Sequence, residues 1–469
     1  MQLSTRSKLF CPCATDYSGQ PPNTRVCPVC LGLPGVLPVL NREALTLATK
    51  TILALGGTVA RVSQFARKQY FYPDMPKAYQ ISQYDRPVGL GGQIDLEIDG
   101  RPRRIGITRL HLEEDAGKLV HPEGAAHSLV DYNRASVPLL EIVSEPDLRS
   151  PEEARLYLLN LKSVLEYLGA SDCNMEEGSL RCDANVSLRP AGTQPFGSKA
   201  EIKNLNSFKA VARALEYEIS RQAALLDDNE RVIQETRLWD ESTGRTHPMR
   251  SKEDAHDYRY FPEPDLPPVV LESEFVESIR NSLPELPVAR RGRFVTGFGL
   301  TPYDAGVLTA QKELADYFEA AVATHDNPKA ISNWLQSELL GALNRDGLTL
   351  GQTRVSPGSL AALVKLIDSG AISGKIAKEV FAEMAATGRE PAQVVSERGL
   401  EQISDESAVT SAIDAVLAAN PEAVSSYRGG KGSALGFLVG QVMKATKGRA
   451  NPGLVNKLLR EKLGGGGAN

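Results

Sequence analysis

Strand patterns are concentrated in the first part of the chain, and this uneven distribution constrains the fold more than any other feature. Alternating apolar and polar residues at 94–98 and 105–112 predict a β-hairpin, and another clear alternation lies at 180–189. Ser150, followed by Pro151, predicts the start of an intervening helix. Further along the chain, Ala and Leu recur at helical spacing. The sequence therefore predicts a mixed α and β region followed by a helical region.

A proline-rich segment at 261–268 separates the two regions. Pro284 and Pro287 follow it closely, which places a domain boundary near 270–290. A last helical module begins near residue 405. The domain prediction divides the chain into 1–275, 285–400 and 405–469.

The bulk composition excludes several classes of protein. The chain has 469 residues, of which 42% are hydrophobic and 24% charged, as in ordinary globular proteins. It contains no run of about 18 apolar residues that could span a membrane. The first residues lack the apolar core of a secretory signal. We therefore expect a cytoplasmic protein of several domains.

Four of the six cysteines form two close pairs near the start of the chain. Cys11 and Cys13 make a C-x-C pair, and Cys27 and Cys30 follow after thirteen residues as C-x-x-C. Four thiolates from two pairs suit a tetrahedral zinc site, in which four protein ligands leave no open position for catalysis. The alternative is four reduced thiols without a metal. The spacing favours structural zinc.

Three consecutive acids end the predicted strand at 105–112. Neighbouring strand residues point to opposite faces, so Glu113 and Glu114 cannot both serve one site, although either could act with Asp115. Glu141 lies within an apolar run and therefore needs a cation, a metal or hydrogen-bond donors. Carboxylates of this kind are Mg²⁺ ligands in many phosphate sites. Solvated acids and an ion-paired Glu141 are the alternative.

A second acidic pair, Glu176 and Glu177, precedes the alternation at 180–189, whose odd-numbered residues are all polar. Such a face meets solvent or lines a cavity for a charged ligand. Basic residues elsewhere in this region are candidates for phosphate contacts. These candidates are Arg67, Lys68, Lys77, Arg109 and Lys203.

Two motifs are absent from the sequence, and their absence limits the chemistry. No G-x-x-x-x-G-K-[ST] loop is present, so bound ATP would need another architecture. No G-x-S-x-G elbow or serine-amidase loop is present either. If ammonia is consumed, another chain makes it.

The end of the chain is basic although the net charge is −5. Between residues 427 and 462, eight basic residues face a single acid. Lys444, Lys447 and Arg449 lie around one predicted helix end and could contact an RNA backbone. Complementing the helix dipole is the alternative role. The excess of positive charge favours RNA binding.

Long motifs spread over nearly the whole chain carry a resemblance to a known family. The chain resembles the B subunits of the Glu-tRNA(Gln)/Asp-tRNA(Asn) amidotransferases, the GatB family. The motifs are at 27–35, 67–74, 111–118, 139–147, 175–185, 201–208, 257–264, 436–441 and 451–452.

The resemblance implies both a fold and a reaction. The fold class is α+β: an antiparallel-sheet cradle domain related to glutamine synthetase and guanidino kinases, then a helical domain and a small YqeY-like tail. The implied cofactors are ATP and Mg²⁺, which phosphorylate the side-chain carboxylate of a mischarged Glu-tRNA(Gln) or Asp-tRNA(Asn) before ammonia displaces phosphate. An amidase A subunit would supply the ammonia, and a small C subunit would complete a heterotrimer.

Taken with the residues above, the resemblance gives a set of candidate site residues. The candidate catalytic residues are Glu114, Glu176, Glu177, Asp183 and Lys203, with Glu114 and Glu176 as Mg²⁺ ligands. The candidate ATP-binding residues are Lys68, Lys77, Arg109 and Arg181. The candidate tRNA-binding residues are Lys444, Lys447 and Arg449.

The chain departs from the family pattern at its start. Family members usually begin with a strand similar to I-G-L-E-V-H-V-Q-L, whose Glu and His belong to the active site. Met1 to Leu3 correspond to the end of that strand, so either the true start site lies further upstream or the chain is catalytically compromised. The chain as printed is therefore expected to show weak or no transamidation. A non-catalytic tRNA-binding scaffold is the alternative function.

Overall fold

The computed structural model describes residues 1–122, 124–249, 258–401, 406–446 and 449–464. The chain divides into two compact units, Met1–Pro287 and Val288–Asn469. In the described part of the chain, every helix is too short or too polar to cross a bilayer.

Short strands make up much of the first unit. In chain order they are β1 (Thr58–Val59), β2 (Val62–Ser63), β3 (Ala66–Gln69), β4 (Tyr79–Ser82), β5 (Gly89–Leu90), β6 (Gln93–Ile98), β7 (Arg101–Glu114), β8 (Lys118–Val120), β9 (Leu129–Asp131), β10 (Pro138–Ser144), β11 (Cys182–Val186), β12 (Ala200–Leu205), β13 (Glu235–Asp240), β14 (Arg245–Pro248), β15 (Phe261–Pro262) and β16 (Val269–Val270).

The strands form several small sheets that are mostly antiparallel. The largest has the order β1-β5-β7-β10, with β6 also paired to β7. A second sheet has the order β11-β12-β13-β14, in which only the β12–β13 pairing is parallel. A third has the order β15-β3-β4, and β16–β2 and β8–β9 are two-stranded. The predicted mixed α and β character of this region is confirmed.

The predicted hairpin forms β6 and the first half of β7. Asp99 and Gly100 both have positive φ, as the tight turns of two-residue hairpin loops require. β7 extends beyond the predicted strand at both ends, which carries its acidic end across the sheet to pair with β10. The strand predicted at 180–189 is real but shorter, and it covers only Cys182–Val186.

Four helices pack against the sheets of the first unit. They are α1 (Arg42–Ala54), α2 (Pro151–Tyr167), α3 (Phe208–Asp227) and α4 (Ser273–Asn281). Ser150 caps α2 by accepting a hydrogen bond from the N–H of Glu153, as its sequence predicts. Ser207 caps α3 in the same way, by accepting from the N–H of Ala210. Their apolar stripes pack with Leu110, Leu112 and other sheet residues in one core.

The described elements of the second unit are helices, as predicted. They are α5 (Pro287–Phe298), α6 (Pro302–Thr309), α7 (Lys312–Thr324), α8 (Pro328–Trp334), α9 (Leu340–Asp346), α10 (Pro357–Asp368), α11 (Gly374–Thr387), α12 (Pro391–Arg398), α13 (Glu406–Ala419), α14 (Pro421–Arg428), α15 (Ser433–Ala445) and α16 (Pro452–Gly464). A π-helical turn, Leu335–Leu339, joins α8 to α9, and Leu350–Gln352 forms a 3₁₀ turn. Two separate apolar clusters lie in this unit, one before and one after the segment around residue 405.

Candidate functional site

A cavity of about 1590 Å³ lies in the first unit. Its walls come from β10, one face of α2, β11, one face of α3 and the loop between β11 and β12. Concave sites that mix apolar walls with a few charged groups are where most ligands bind. The predicted site residues are therefore expected to line this cavity.

The acidic end of β7 borders the cavity, but only two of its three acids line it. Glu113 and Asp115 are lining residues, whereas Glu114 is not. Alternation along the strand puts Glu114 on the same face as Leu110 and Leu112, both of which are fully buried. The sequence leaves open whether Glu113 or Glu114 serves a site. Of these two residues, Glu113 is the one that can contact a group inside the cavity.

Glu113 belongs to a cluster with His111 and Glu141. The pairing of β10 with β7 sets Glu141 directly opposite His111, so both side chains lie on the face that carries Glu113. His111 Nε2 lies 3.4 Å from Glu113 Oε2 and 3.4 Å from Glu141 Oε2. The hydroxyl of Ser82 donates a hydrogen bond of 2.9 Å to Glu113.

Burial and mutual charge shift the titration of this cluster. Burial by itself would lower the pKa of His111, but its hydrogen bonds to the two carboxylates raise it to about 9. Burial would raise the pKa of Glu141, yet the neighbouring His111 holds it at about 2. His111 and Glu141 therefore form a charged pair, and Glu113 lies 3.4 Å from the same imidazole.

The donor set of the cluster fits a divalent cation. One ligand atom from each of the three side chains can lie within 4.8 Å of the others. The Nδ1 atom of His111 is buried and makes no hydrogen bond with the described residues. Two carboxylates suit Mg²⁺ or Mn²⁺, and an imidazole favours the latter. The acidic cluster thus offers the ligand types that such a cation takes.

Asp115 holds a cation at the cavity wall. Its side chain is buried and accepts a hydrogen bond of 2.7 Å from Arg181 and one of 2.9 Å from Gln2. Arg134 lies 3.7 Å from the same carboxylate. The guanidinium of Arg181, a predicted ATP-binding residue, remains 45% exposed and lines the cavity. Asp115 therefore orients Arg181 rather than presenting a free carboxylate.

Asp183 and Lys203 lie side by side on two neighbouring strands, β11 and β12. Lys203 Nζ lies 3.2 Å from Asp183 Oδ2 and 3.5 Å from a carboxylate oxygen of Glu201. All three residues line the cavity, and both partners of the closer pair are about half exposed. The structure thus brings these two predicted catalytic residues together.

Glu114 faces away from the cavity, against the prediction that it binds Mg²⁺ there. Its side chain is 1% exposed and forms an ion pair of 2.6 Å with Lys77, itself a predicted ATP-binding residue. The N–H of Ile81 donates a further hydrogen bond of 2.9 Å. Both carboxylate oxygens are therefore occupied, and Lys77 is committed to Glu114. This geometry counts against the metal role of Glu114 and the ATP role of Lys77.

Glu176 and Glu177 also lie outside the cavity. Both are exposed in a turn, and their backbone N–H groups donate to the side-chain oxygen of Asn174. The turn directs the acids to solvent, whereas a strand would have carried one of them to the cavity wall. The structure therefore gives no support to Glu176 as a partner of Glu114 in a metal site.

Two other predicted ATP-binding residues lie near the acidic cluster. Lys68 lines the cavity, with its Nζ 4.9 Å from the centre of the Tyr258 ring. Arg109 lies on the same face of β7 as His111, two residues earlier, but it is not a lining residue. The charges of both contribute to the lowered pKa of Glu141.

The four paired cysteines meet at one place, as their spacing predicts. Their sulfur atoms all lie within 4.8 Å of one another, and Cys11 and Cys30 are buried. A hydrogen bond from Cys11 lowers the pKa of Cys30 to about 5 and raises that of Cys11. Four close thiols of this kind fit a tetrahedral zinc ion.

The three predicted tRNA-binding residues differ in their surroundings. Lys444 is exposed in the last turn of α15. Arg449 is partly buried and donates a hydrogen bond of 3.2 Å to the carbonyl of Gly399. Lys447 lies outside the described residues. Of the two that the structure describes, Lys444 offers its charge to solvent.

The set of site residues predicted from the sequence omits the three members of the acidic cluster. His111, Glu113 and Glu141 all lie within the motifs, and the apolar surroundings of Glu141 indicate that it needs a partner. The phase of the alternation is the missing signal. Leu110 and Leu112 are buried core residues, so the alternation places Glu113 on the other face of β7, where it lines the cavity.

The fold and the cavity define a protein of mixed α and β structure whose cavity walls carry both acidic and basic side chains, as in enzymes that act on charged substrates. Residues 1–277 match the family model described as the GatB/GatE catalytic domain, and residues 316–463 match the GatB domain. Together these matches cover most of the chain.

Curated relatives agree with the family models over nearly the full length. The chain is 59% identical to the B subunit of the aspartyl/glutamyl-tRNA(Asn/Gln) amidotransferase of Carboxydothermus hydrogenoformans, across 99% of this chain and 97% of that protein. It is 59% identical to the corresponding protein of Moorella thermoacetica (98% and 97% covered) and 58% identical to that of Solidesulfovibrio magneticus (99% and 97% covered). The chain therefore belongs to the GatB family, the B subunits of aspartyl/glutamyl-tRNA(Asn/Gln) amidotransferases, and the predicted resemblance is confirmed.

Proposed function

We propose that the chain is the subunit of an ATP-dependent amidotransferase that converts Glu-tRNA(Gln), Asp-tRNA(Asn) or both into the amidated forms. The names of its relatives, at up to 59% identity, support this reaction. The observation that carries the proposal is the cluster of His111, Glu113 and Glu141, of which the two carboxylates line the cavity. Acidic side chains beside a cationic wall are what phosphoryl transfer between two anionic substrates needs.

The proposed reaction has two steps. A side-chain carboxylate oxygen of the aminoacyl group attacks the γ-phosphorus of ATP, and ADP leaves to give an acyl phosphate. Ammonia then attacks the acyl carbon, phosphate leaves and the nitrogen loses a proton. Positioning and charge neutralisation supply most of the rate enhancement in such reactions.

In this proposal, Glu113 and Glu141 hold Mg²⁺, with His111 beside them. The cation would neutralise charge on the phosphates when bound. The carboxylates of this cluster replace Glu114 and Glu176 as proposed ligands, since they line or border the cavity and those two do not.

The basic residues of the walls serve the phosphates. Arg181, oriented by Asp115, donates to phosphate oxygens, and Lys203, held by Asp183, does so as well. Lys68 adds positive charge near the acidic cluster. These cations also limit the repulsion between two polyanionic substrates.

Ammonia and the remaining partners come from other subunits in this proposal. The sequence contains no amidase motif, so an A subunit hydrolyses glutamine and a small C subunit completes the heterotrimer. The four cysteines hold a structural zinc ion. The chain consists of a cradle domain (1–275), a helical domain (285–400) and a YqeY-like tail (405–469) that contacts tRNA, with Lys444 as one phosphate contact.

Turnover by matched variants tests the proposal. The chain, with the family's first strand placed before Met1, is combined with its A and C subunits, mischarged tRNA and labelled ATP, and phosphate release is followed with and without the tRNA. Glu113→Gln and Glu141→Gln are expected to lower tRNA-dependent release about 100-fold or more, with tRNA affinity unchanged. Glu176→Gln is the matched control and should react like the wild type.

Two outcomes would contradict the proposed reaction centre. Unchanged turnover in Glu113→Gln would remove the cluster from the chemistry. Tight tRNA binding without any tRNA-dependent phosphate release by the wild-type complex would instead support the non-catalytic scaffold.

A further inference from the structure

Lys8 is fully buried beside the four cysteines. Its side chain is 0% exposed, and its Nζ lies 3.6 Å from Cys30 Sγ and 3.4 Å from the carbonyl oxygen of Tyr132. Within the described residues, Lys8 forms no ion pair with a carboxylate. The ammonium is thus enclosed with sulfur atoms and one carbonyl as its partners.

A buried ammonium group is stable only when an opposite charge lies close to it. Neutral thiols and a carbonyl do not supply that charge. Thiolates do, and the cysteine cluster is the source of them nearest to Lys8. The buried position of Lys8 therefore suits a site that carries negative charge, as four thiolates around a metal ion do.

Cys30 receives donors from two sides. In addition to Lys8, the backbone N–H of Cys27 donates to Cys30 Sγ at 3.2 Å. N–H donors around a sulfur atom stabilise the thiolate form, which is the form that binds metals. The surroundings of Cys30 are therefore arranged for a sulfur that carries negative charge.

The backbone ties Lys8 to the other cysteine pair. The N–H of Lys8 donates to the carbonyl of Cys13 at 2.9 Å, while its ammonium reaches Cys30. Asn41 also donates to the carbonyl of Lys8. Lys8 thus links the C-x-C pair to the C-x-x-C pair, and its position is fixed from several sides.

We infer that Lys8 is the counter-ion of the metal site formed by the four cysteines. The inference rests on the zinc site of the proposed function. Four thiolates around a divalent cation leave two negative charges in excess, and the ammonium offsets one of them. Lys8 is a positioning residue for Cys30 and not a ligand.

Charge compensation by Lys8 has a consequence that simple packing does not. With metal bound, the ammonium faces thiolates and stabilises the site. Replacing Lys8 with a neutral residue should therefore weaken metal binding, so that the bound metal adds less stability to the variant than to the wild type.

Lys8→Met in the full chain tests this inference, with exposed Lys209→Met as the matched control. Zinc content, zinc affinity by chelator competition, and Tm with and without chelator are measured. Lys8→Met is expected to weaken zinc binding by about 10-fold or more. The chelator should also lower the Tm of Lys8→Met less than that of the wild type. Lys209→Met should match the wild type in every measurement.

The outcomes separate this inference from the proposed zinc site. A wild-type chain that binds no zinc overturns both. A wild type that binds zinc, with Lys8→Met showing the same affinity, overturns the role of Lys8 alone. An equal Tm loss in the metal-bound and metal-free forms would mean that Lys8 only fills space. If Lys8→Met does not fold, Lys8→Gln replaces it in the same comparison.

Discussion

A shift of one residue along β7 separates two acids that the sequence presents together. Glu113 belongs to the cluster at the cavity, and Glu114 pairs with Lys77 on the buried face. The two carboxylates therefore have different physical tasks. Glu113 contributes negative charge that a cation could use, whereas Glu114 balances the charge of a lysine that is only 10% exposed.

The buried pair leads to a prediction about stability. Glu114→Gln leaves the ammonium of Lys77 without its counter-charge, and we expect a loss of about 3 kcal/mol in the free energy of unfolding. The shift of the urea midpoint of the full chain measures it. Glu176→Gln, an exposed change in a turn, should shift the midpoint by less than about 0.5 kcal/mol.

A Glu114→Gln variant as stable as the wild type would show that the ion pair with Lys77 does not hold this face of β7. The carboxylate of Glu114 in the wild type would then be available to bind a metal ion, a role that the observed geometry does not support.

At the scale of elements, strand pairing and helix caps build the site. The pairing of β7 with β10 brings His111 and Glu141 together from positions 30 residues apart. On the other side of the cavity, α3 is attached to its sheet by polar contacts. Glu218 is fully buried on α3, where it accepts hydrogen bonds of 3.0 Å from both Arg221 and Thr246. Arg237 of β13 lies 3.4 Å from the same carboxylate.

The Glu218 network makes this part of the first unit sensitive to acid. Burial favours the protonated form, but hydrogen bonds from Arg221 and its neighbours outweigh it and lower the pKa of Glu218. A carboxylate whose pKa is lower in the folded state stabilises the fold above its ordinary pKa and loses that contribution as pH falls. We therefore expect stability to fall below about pH 4.

Glu218→Gln is expected to be less stable than the wild type at pH 7 and to lose less stability on acidification. Urea unfolding at pH 7 and at about pH 4 measures both effects. Parallel pH curves for the variant and the wild type would show that Glu218 does not cause the acid sensitivity.

Local elements could be predicted from the sequence, because their signals are local. The Asp99 turn and the Ser150 cap are confirmed, since each depends on a few adjacent residues. The meeting of the four cysteines also follows from their spacing. Which face of β7 is directed toward the cavity could not be predicted in the same way. Both of its faces are covered at the acidic end, where Glu113, Glu114 and Asp115 are all buried.

The turn at Glu176 shows a second limit of the sequence. Its acids directly precede a strand, and the charge pattern together with the family resemblance predicts a place for them in the site. Asn174 instead accepts hydrogen bonds from the N–H groups of both glutamates and sets the turn, which a charge pattern does not reveal.

At the scale of the whole molecule, the proposed functional features are distributed over both units of the described chain. The cavity, the acidic cluster and the cysteine site all lie in Met1–Pro287. The helices of Val288–Asn469 carry the exposed Lys444. The proposed chemistry thus belongs to the first unit, and the proposed tRNA contact of Lys444 belongs to the second.

The proposed reaction centre requires a divalent cation at His111, Glu113 and Glu141. Mn²⁺ binding to the full chain, followed by electron paramagnetic resonance, tests this most directly because Mn²⁺ accepts both carboxylate and imidazole ligands. We predict that the wild type, Glu114→Gln and Glu176→Gln bind the ion alike, and that Glu113→Gln and Glu141→Gln weaken binding by about 10-fold or more. Normal Mn²⁺ binding by Glu113→Gln and Glu141→Gln, together with loss of Mn²⁺ binding in Glu114→Gln, would contradict the proposed cation site.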